Sequence, residues 1–162
     1  MLFLRSALSI VLSLCLSSLP NSQQKEAIMT HHATGPFEVK LAPLEPAFKS
    51  DDNSMGRMSI DKQFHGDLEA SSKGEMLYAG NPRTSGGYVA IERVSGTLQG
   101  SPGTFYLQHN ATMTHGTPQL NVIVVPGTGT GQLAGLSGSM NIVVASDGKH
   151  SYDFTYTLPD SQ

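Results

Sequence analysis

Glu92 and His109 are the two ionisable residues whose sequence neighbours place them among apolar side chains. Glu92 shares its parity with Tyr88, Ala90, Val94 and Leu98, and His109 stands between Leu107 and Ala111 in the row Phe105, Leu107, Ala111, Met113. Alternate side chains of a strand face opposite sides, so both rows are the buried side and both polar residues interrupt it. A carboxylate beside an imidazole can orient a polar group or pass a proton. The two stretches read as arms of one hairpin turning at Ser101-Pro102-Gly103. With Leu98 opposite Gly103 or Phe105, Glu92 falls directly or diagonally across from His109, within reach of it. Lys62 and His150 are the other ionisable residues on inward parity, and Tyr78, Tyr88, Tyr152 and Tyr156 can add hydroxyls to the interior. Two readings of Glu92 and His109 stay open: a charge-matched buried pair that fixes register, or a polar patch that orients a small ligand.

Other chemistry is weakly written. The run Gly127-Thr128-Gly129-Thr130-Gly131 has no Lys-Ser or Lys-Thr after it and opens no helix, so it reads as bends at a barrel rim rather than a phosphate loop. His31 and His32 are adjacent, would face opposite ways in a strand, and have no partner at ligand spacing, so no metal site is expected. Asn110-Ala111-Thr112 fits a glycosylation sequon but lies mid-strand. Cys15 is the only cysteine and sits in the leading apolar run, which removes disulfides and thiol nucleophiles from the folded part. A formal net charge of −3 without a basic cluster argues against nucleic acid as a partner. No cofactor is implied, and no motif assigns a catalytic residue.

The elements that must position these residues are strands. Alternation marks residues 34–41, 55–70 and 75–78, with a loop at 42–54 and a tight connection at 71–74. The hairpin of residues 86–113 follows, then strands at 119–125, 139–145 and 149–158. The last two are joined by Ser146-Asp147-Gly148, a turn signal because Asp-Gly tolerates positive φ. A short motif recurs at Gly66-Asp67-Leu68-Glu69-Ala70, Gly96-Thr97-Leu98-Gln99-Gly100 and Gly131-Gln132-Leu133-Ala134-Gly135. It reads as a hairpin unit whose leucine plugs the end of the core. Eight sequential strands with short turns favour an all-β, closed, antiparallel up-and-down barrel, since closure removes exposed edges. A β-sandwich is the alternative.

At 162 residues with 38% hydrophobic content the chain suits one domain and no stable membrane insertion. Residues 1–28 have two readings. Arg5 and the apolar run 7–16 resemble a secretory signal, too short to span a bilayer, which makes the mature protein secreted or periplasmic. Alternatively translation starts at Met29, since Lys25-Glu26 can be encoded by a purine-rich bacterial ribosome-binding sequence, and the protein is cytoplasmic. Residues 29–162 form the barrel domain in either case. Val89, Ile91, Ile123, Val125 and Val143 fall on outward parity, which points to a homo-oligomer.

The segments MTHHATGPFEVKLAP, MGRMSIDKQFHGDLEASSKGEML, GGYVAIERVSGTLQG, FYLQHNATM and GTGQLAGLSGSM together resemble the DUF3224 family, from about Met29 to Pro159. The resemblance implies an eight-stranded closed meander barrel similar in architecture to allene oxide cyclase and more loosely to dirigent proteins. Family members usually begin near the position of Met29, and the family's function is undetermined. No motif aligns residue by residue with the cyclase's active site, so no catalytic residue carries over. The functional expectation is a barrel that binds a small hydrophobic molecule without catalysis, with Glu92, His109, Lys62, His150, Tyr88, Tyr78 and Tyr152 in its interior. The alternatives are an isomerase or cyclase acting on a hydrophobic substrate in the lumen, and a structural or interaction module. Small barrels either fill with side chains or leave room for one ligand, and the sequence leaves both open.

Overall fold

The computed structural model describes residues 29–46, 54–81 and 83–159. The leader and start-site expectations concern residues 1–28 and lie outside the described residues, as does part of the 42–54 loop. Eight antiparallel strands close into an up-and-down barrel, as expected: β1 Thr30–Leu44, β2 Met55–Phe64, β3 Leu68–Asn81, β4 Ser85–Leu98, β5 Ser101–Thr114, β6 Thr117–Val124, β7 Ser137–Val144 and β8 His150–Thr157. Each strand pairs with the next, and β8 returns to β1. Among the described residues no helix is long and apolar enough to cross a membrane.

Two turns differ from the sequence reading. The residues 71–74 lie in the middle of β3, and the chain reverses at His65-Gly66-Asp67 instead. There Gly66 has φ 92°, the Glu69 carboxylate accepts its N–H at 2.7 Å, and the Asp67 carboxylate accepts the Thr34 N–H at 2.7 Å. Ser71-Ser72-Lys73-Gly74 resembles a turn because it is small and polar, but the polarity of Ser72 serves the barrel interior. The second shift is in the central hairpin. Gln99 (φ 47°) and Gly100 (φ 85°) form a two-residue turn, and Leu98 pairs with Ser101. Gln99 is held in its left-handed conformation by donating to the His32 carbonyl at 2.8 Å and accepting from the Tyr156 hydroxyl at 2.6 Å. Gly103 is glycine for another reason: a Cβ there would collide with the Thr130 carbonyl. The pairing lies two residues from the Leu98–Gly103 register and four from the Leu98–Phe105 one, and an even shift leaves every side chain on its expected face.

The recurring motif is not a repeated hairpin. Gly66 lies in a turn, Gly96 lies within β4 and Gly131 opens a single 3-10 turn, Gly131–Leu133. What the copies share is the leucine: Leu68, Leu98 and Leu133 are each 1% exposed and belong to one cluster. That cluster fills one end of the barrel with Phe64, Phe105, Leu136, Phe154 and Tyr156. Phe154 stacks on Phe105 at 6.0 Å and on Tyr156 at 5.2 Å. The glycine-rich segment folds against the start of β5, where the Thr130 and Thr128 hydroxyls accept the N–H groups of Thr104 and Tyr106, each at 3.1 Å. Its role is closure of that end, and direct pairing of β6 with β7 is correspondingly short. On the outer face Val89, Ile91 and Val143 are exposed, while Ile123 and Val125 are half-buried.

Candidate functional site

Midway along the barrel, below the packed cluster's opposite boundary, four polar side chains meet. Glu92 on β4 lies opposite Gly74 on β3 and Leu107 on β5, one diagonal step from His109. Its Oε1 accepts Lys62 Nζ from β2 at 2.7 Å and His109 Nε2 at 2.9 Å, and its Oε2 accepts the Ser72 hydroxyl at 2.6 Å. Glu92 is 0% exposed, and Lys62, Ser72 and His109 are also buried. Lys62 Nζ lies 5.3 Å from the Phe37 ring centre and 5.7 Å from that of Phe64, so aromatic faces supply part of its lost hydration. Buried charges are tolerated when paired and hydrogen-bonded, and both conditions hold here.

Burial by itself would push the Glu92 carboxyl upward in pKa. The His109 hydrogen bond and the Lys62 charge pull harder, and the group is lowered from 4.5 to about 2. An ionised carboxylate only accepts, so the hydrogen-bond network assigns the proton to His109 Nε2. His109 Nδ1 then has no hydrogen-bond partner among the described residues.

Beyond this cluster, in the half of the barrel away from the packed end, lies a cavity of about 710 Å³. Lys62 and His109 form its polar floor. Its walls include Val39, Met58, Ile60, Met76 and Ile142, and Leu41, Leu120 and Val144 stand at its exposed mouth. Small residues, Ala79, Gly86, Gly87 and Ala111, are interspersed with the larger ones along its lining. The Tyr78 ring folds across Gly56, where a Cβ would lie 2.7 Å from its Cε1.

Of the seven residues expected in the interior, the structure joins Glu92, Lys62 and His109 directly and sets His150, Tyr78 and Tyr88 around the cavity. The Tyr88 ring lies 6.5 Å from that of His109, and His150 packs on Phe37 at 5.2 Å. Burial and then the Glu92 charge raise the Tyr88 pKa, which keeps its hydroxyl protonated and able to donate. Neither Tyr78 nor Tyr88 has a hydroxyl partner among the described residues. Tyr152 is in the interior as well but is not among the residues that line the cavity. It packs edge-on against Phe64, its hydroxyl accepts the Leu68 N–H at 2.8 Å and donates to the His65 carbonyl at 3.0 Å, and so it anchors the β2–β3 turn rather than lining the cavity. Tyr156 is likewise held at the packed end by Gln99.

Ser72 and Gly74 were not legible as site residues. A Cβ on Gly74 would lie 2.6 Å from the Glu92 Cβ, so glycine is what lets β3 pass the carboxylate. The signal was present in parity: Ser72 falls in the row Leu68, Ala70, Met76 once the strand is continued through residues 71–74. His31 stacks on Tyr156 at 5.2 Å while His32 faces out beside Thr155, as strand alternation demands. Among the described residues no group of three or more His, Cys, Asp or Glu is arranged to hold a metal ion.

The arrangement places an imidazole, held through Nε2 by an ionised carboxylate, in the lining of a largely apolar hollow. Residues 33–156 match the family described as "Protein of unknown function (DUF3224)". The solved structure of a protein of unknown function from the DUF3224 family of Shewanella oneidensis MR-1 is similar: 43% identical, TM-score 0.76, with 82% of this chain and 100% of that chain covered. No curated protein matches the chain.

Proposed function

The chain belongs to the DUF3224 family of proteins of unknown function, and from that premise we propose that its barrel binds one small, largely apolar molecule in the hollow half. The observation that carries the reading is the cavity of about 710 Å³, within the range of ligand sites and walled by aliphatic and methionine side chains over a few polar groups. Native mass spectrometry of the protein purified gently from its own host tests it. The expected result is a non-covalent adduct that organic solvent extracts and that an apolar competitor displaces. Protein that is free of adduct and takes up no apolar compound from a library overturns the reading.

A second reading, proton transfer on the bound molecule, is supported by the Glu92–His109 hydrogen bond of 2.9 Å, which holds an imidazole that lines the cavity. Solvent deuterium incorporated into recovered ligand supports it. Ligand recovered without label removes it.

A further inference from the structure

The polar floor selects the chemistry of the occupant. We propose that the bound molecule carries a neutral O–H group, a phenol or alcohol, that donates a hydrogen bond to His109 Nδ1. The inference rests on the binding reading above. His109 is 3% exposed and lines the cavity, Nε2 is committed to Glu92, and Nδ1 is its remaining polar atom. With Nε2 protonated, Nδ1 offers a lone pair, and a buried acceptor without a donor is costly. The complement is a donor.

Charge decides which donor. Glu92 and Lys62 already balance, their atoms 2.7 Å apart and both buried. A carboxylate occupant would add a second buried negative charge beside Glu92, with its Lys62 counterion already engaged. An ammonium occupant would add an uncompensated positive one. Either carries the desolvation cost of an unpaired ion, whereas a phenol or alcohol leaves the cluster neutral. The protonated hydroxyl of Tyr88 and that of Tyr78 supply donors higher in the cavity, suited to a second oxygen on the same molecule.

Calorimetric titration of the full chain with para-hexylphenol, para-hexyltoluene and para-hexylbenzoate tests this in the wild type and in His109→Phe. The first two probes differ only in O–H against methyl. The expected result is that the phenol-to-toluene affinity ratio falls about tenfold in His109→Phe, and that benzoate binds weakest at mildly alkaline pH. An unchanged ratio, with both probes still binding, overturns the O–H inference and leaves the binding reading standing. Failure of all three to bind removes the binding reading and this inference with it. If His109→Phe does not fold, nitrogen NMR of the wild type decides: the His109 Nδ1 resonance should move with the phenol and stay put with the toluene analogue. Equal shifts with both overturn the proposal.

Discussion

The two halves of this barrel obey the same inward–outward alternation and end in opposite states. Toward the Gln99-Gly100 turn the inward positions are Phe64, Leu68, Leu98, Phe105 and Phe154, with Leu133 and Leu136 added from the glycine-rich segment, and the interior is filled. Toward the other rim they include Met76, Tyr78, Gly86, Tyr88 and Ala111, no described segment folds in to fill the space between them, and the interior is a cavity. Strand number and pairing are common to both halves, so residue volume rather than topology sets whether a small barrel is a core or a container. The Glu92 cluster lies at the junction. Polar groups are best tolerated there, because the packed side excludes water while the hollow side leaves room for a partner.

The most severe break of this contrast is Phe154→Ala. It should cost about 3–5 kcal/mol in denaturant unfolding, because the void is surrounded by rigid aromatic neighbours. Met76→Ala, on the cavity wall, should cost about 1 kcal/mol, since Met76 is only partly buried and the wall already faces empty space. Equal costs would show that the halves do not differ in packing.

Glu92→Ala should be of similar severity, about 3–5 kcal/mol, because it leaves buried Lys62, His109 and Ser72 without either a counter-charge or an acceptor. Glu92→Gln also removes the charge facing Lys62 but keeps the shape and one acceptor oxygen, and its loss should be smaller, about 2 kcal/mol. Urea midpoints for the two variants check the order, and a Gln variant as damaged as the Ala one would mean that charge rather than hydrogen bonding dominates.

Acid titration sharpens the same point without a mutation. The folded pKa of Glu92 lies below its usual 4.5, at about 2, so its stabilisation is fully present above pH 4.5 and is lost as the pH falls toward 2. The amount is on the order of 3 kcal/mol. Stability measured across that window should fall steeply in the wild type and more gently in Glu92→Gln. Parallel curves would assign the acid sensitivity elsewhere.

Gly74→Ala should cost about 1–3 kcal/mol by overpacking against Glu92, and the smallest effect is Ser72→Ala at about 1 kcal/mol for one hydrogen bond. Thermal melts of both are sufficient. A Gly74→Ala protein as stable as the wild type would show that β3 yields at this point.

The sequence by itself determined which way each strand residue faces, because side-chain alternation is local. Closed up-and-down order followed from short connections, and inward burial of Glu92, His109 and Lys62 followed from parity. Parity also holds although the turn is at Gln99-Gly100 rather than Ser101-Pro102-Gly103, since the register differs from either expected one by an even number of residues. What only the tertiary structure decided depends on distant chain segments. Ser72 became a partner of Glu92, and Tyr152 was drawn to the β2–β3 turn by backbone groups far away in sequence. The glycine-rich run filled one end of the barrel, leaving the other open. Facing is a property of one strand, whereas filling is a sum of volumes over all eight, and no single stretch of sequence contains that sum.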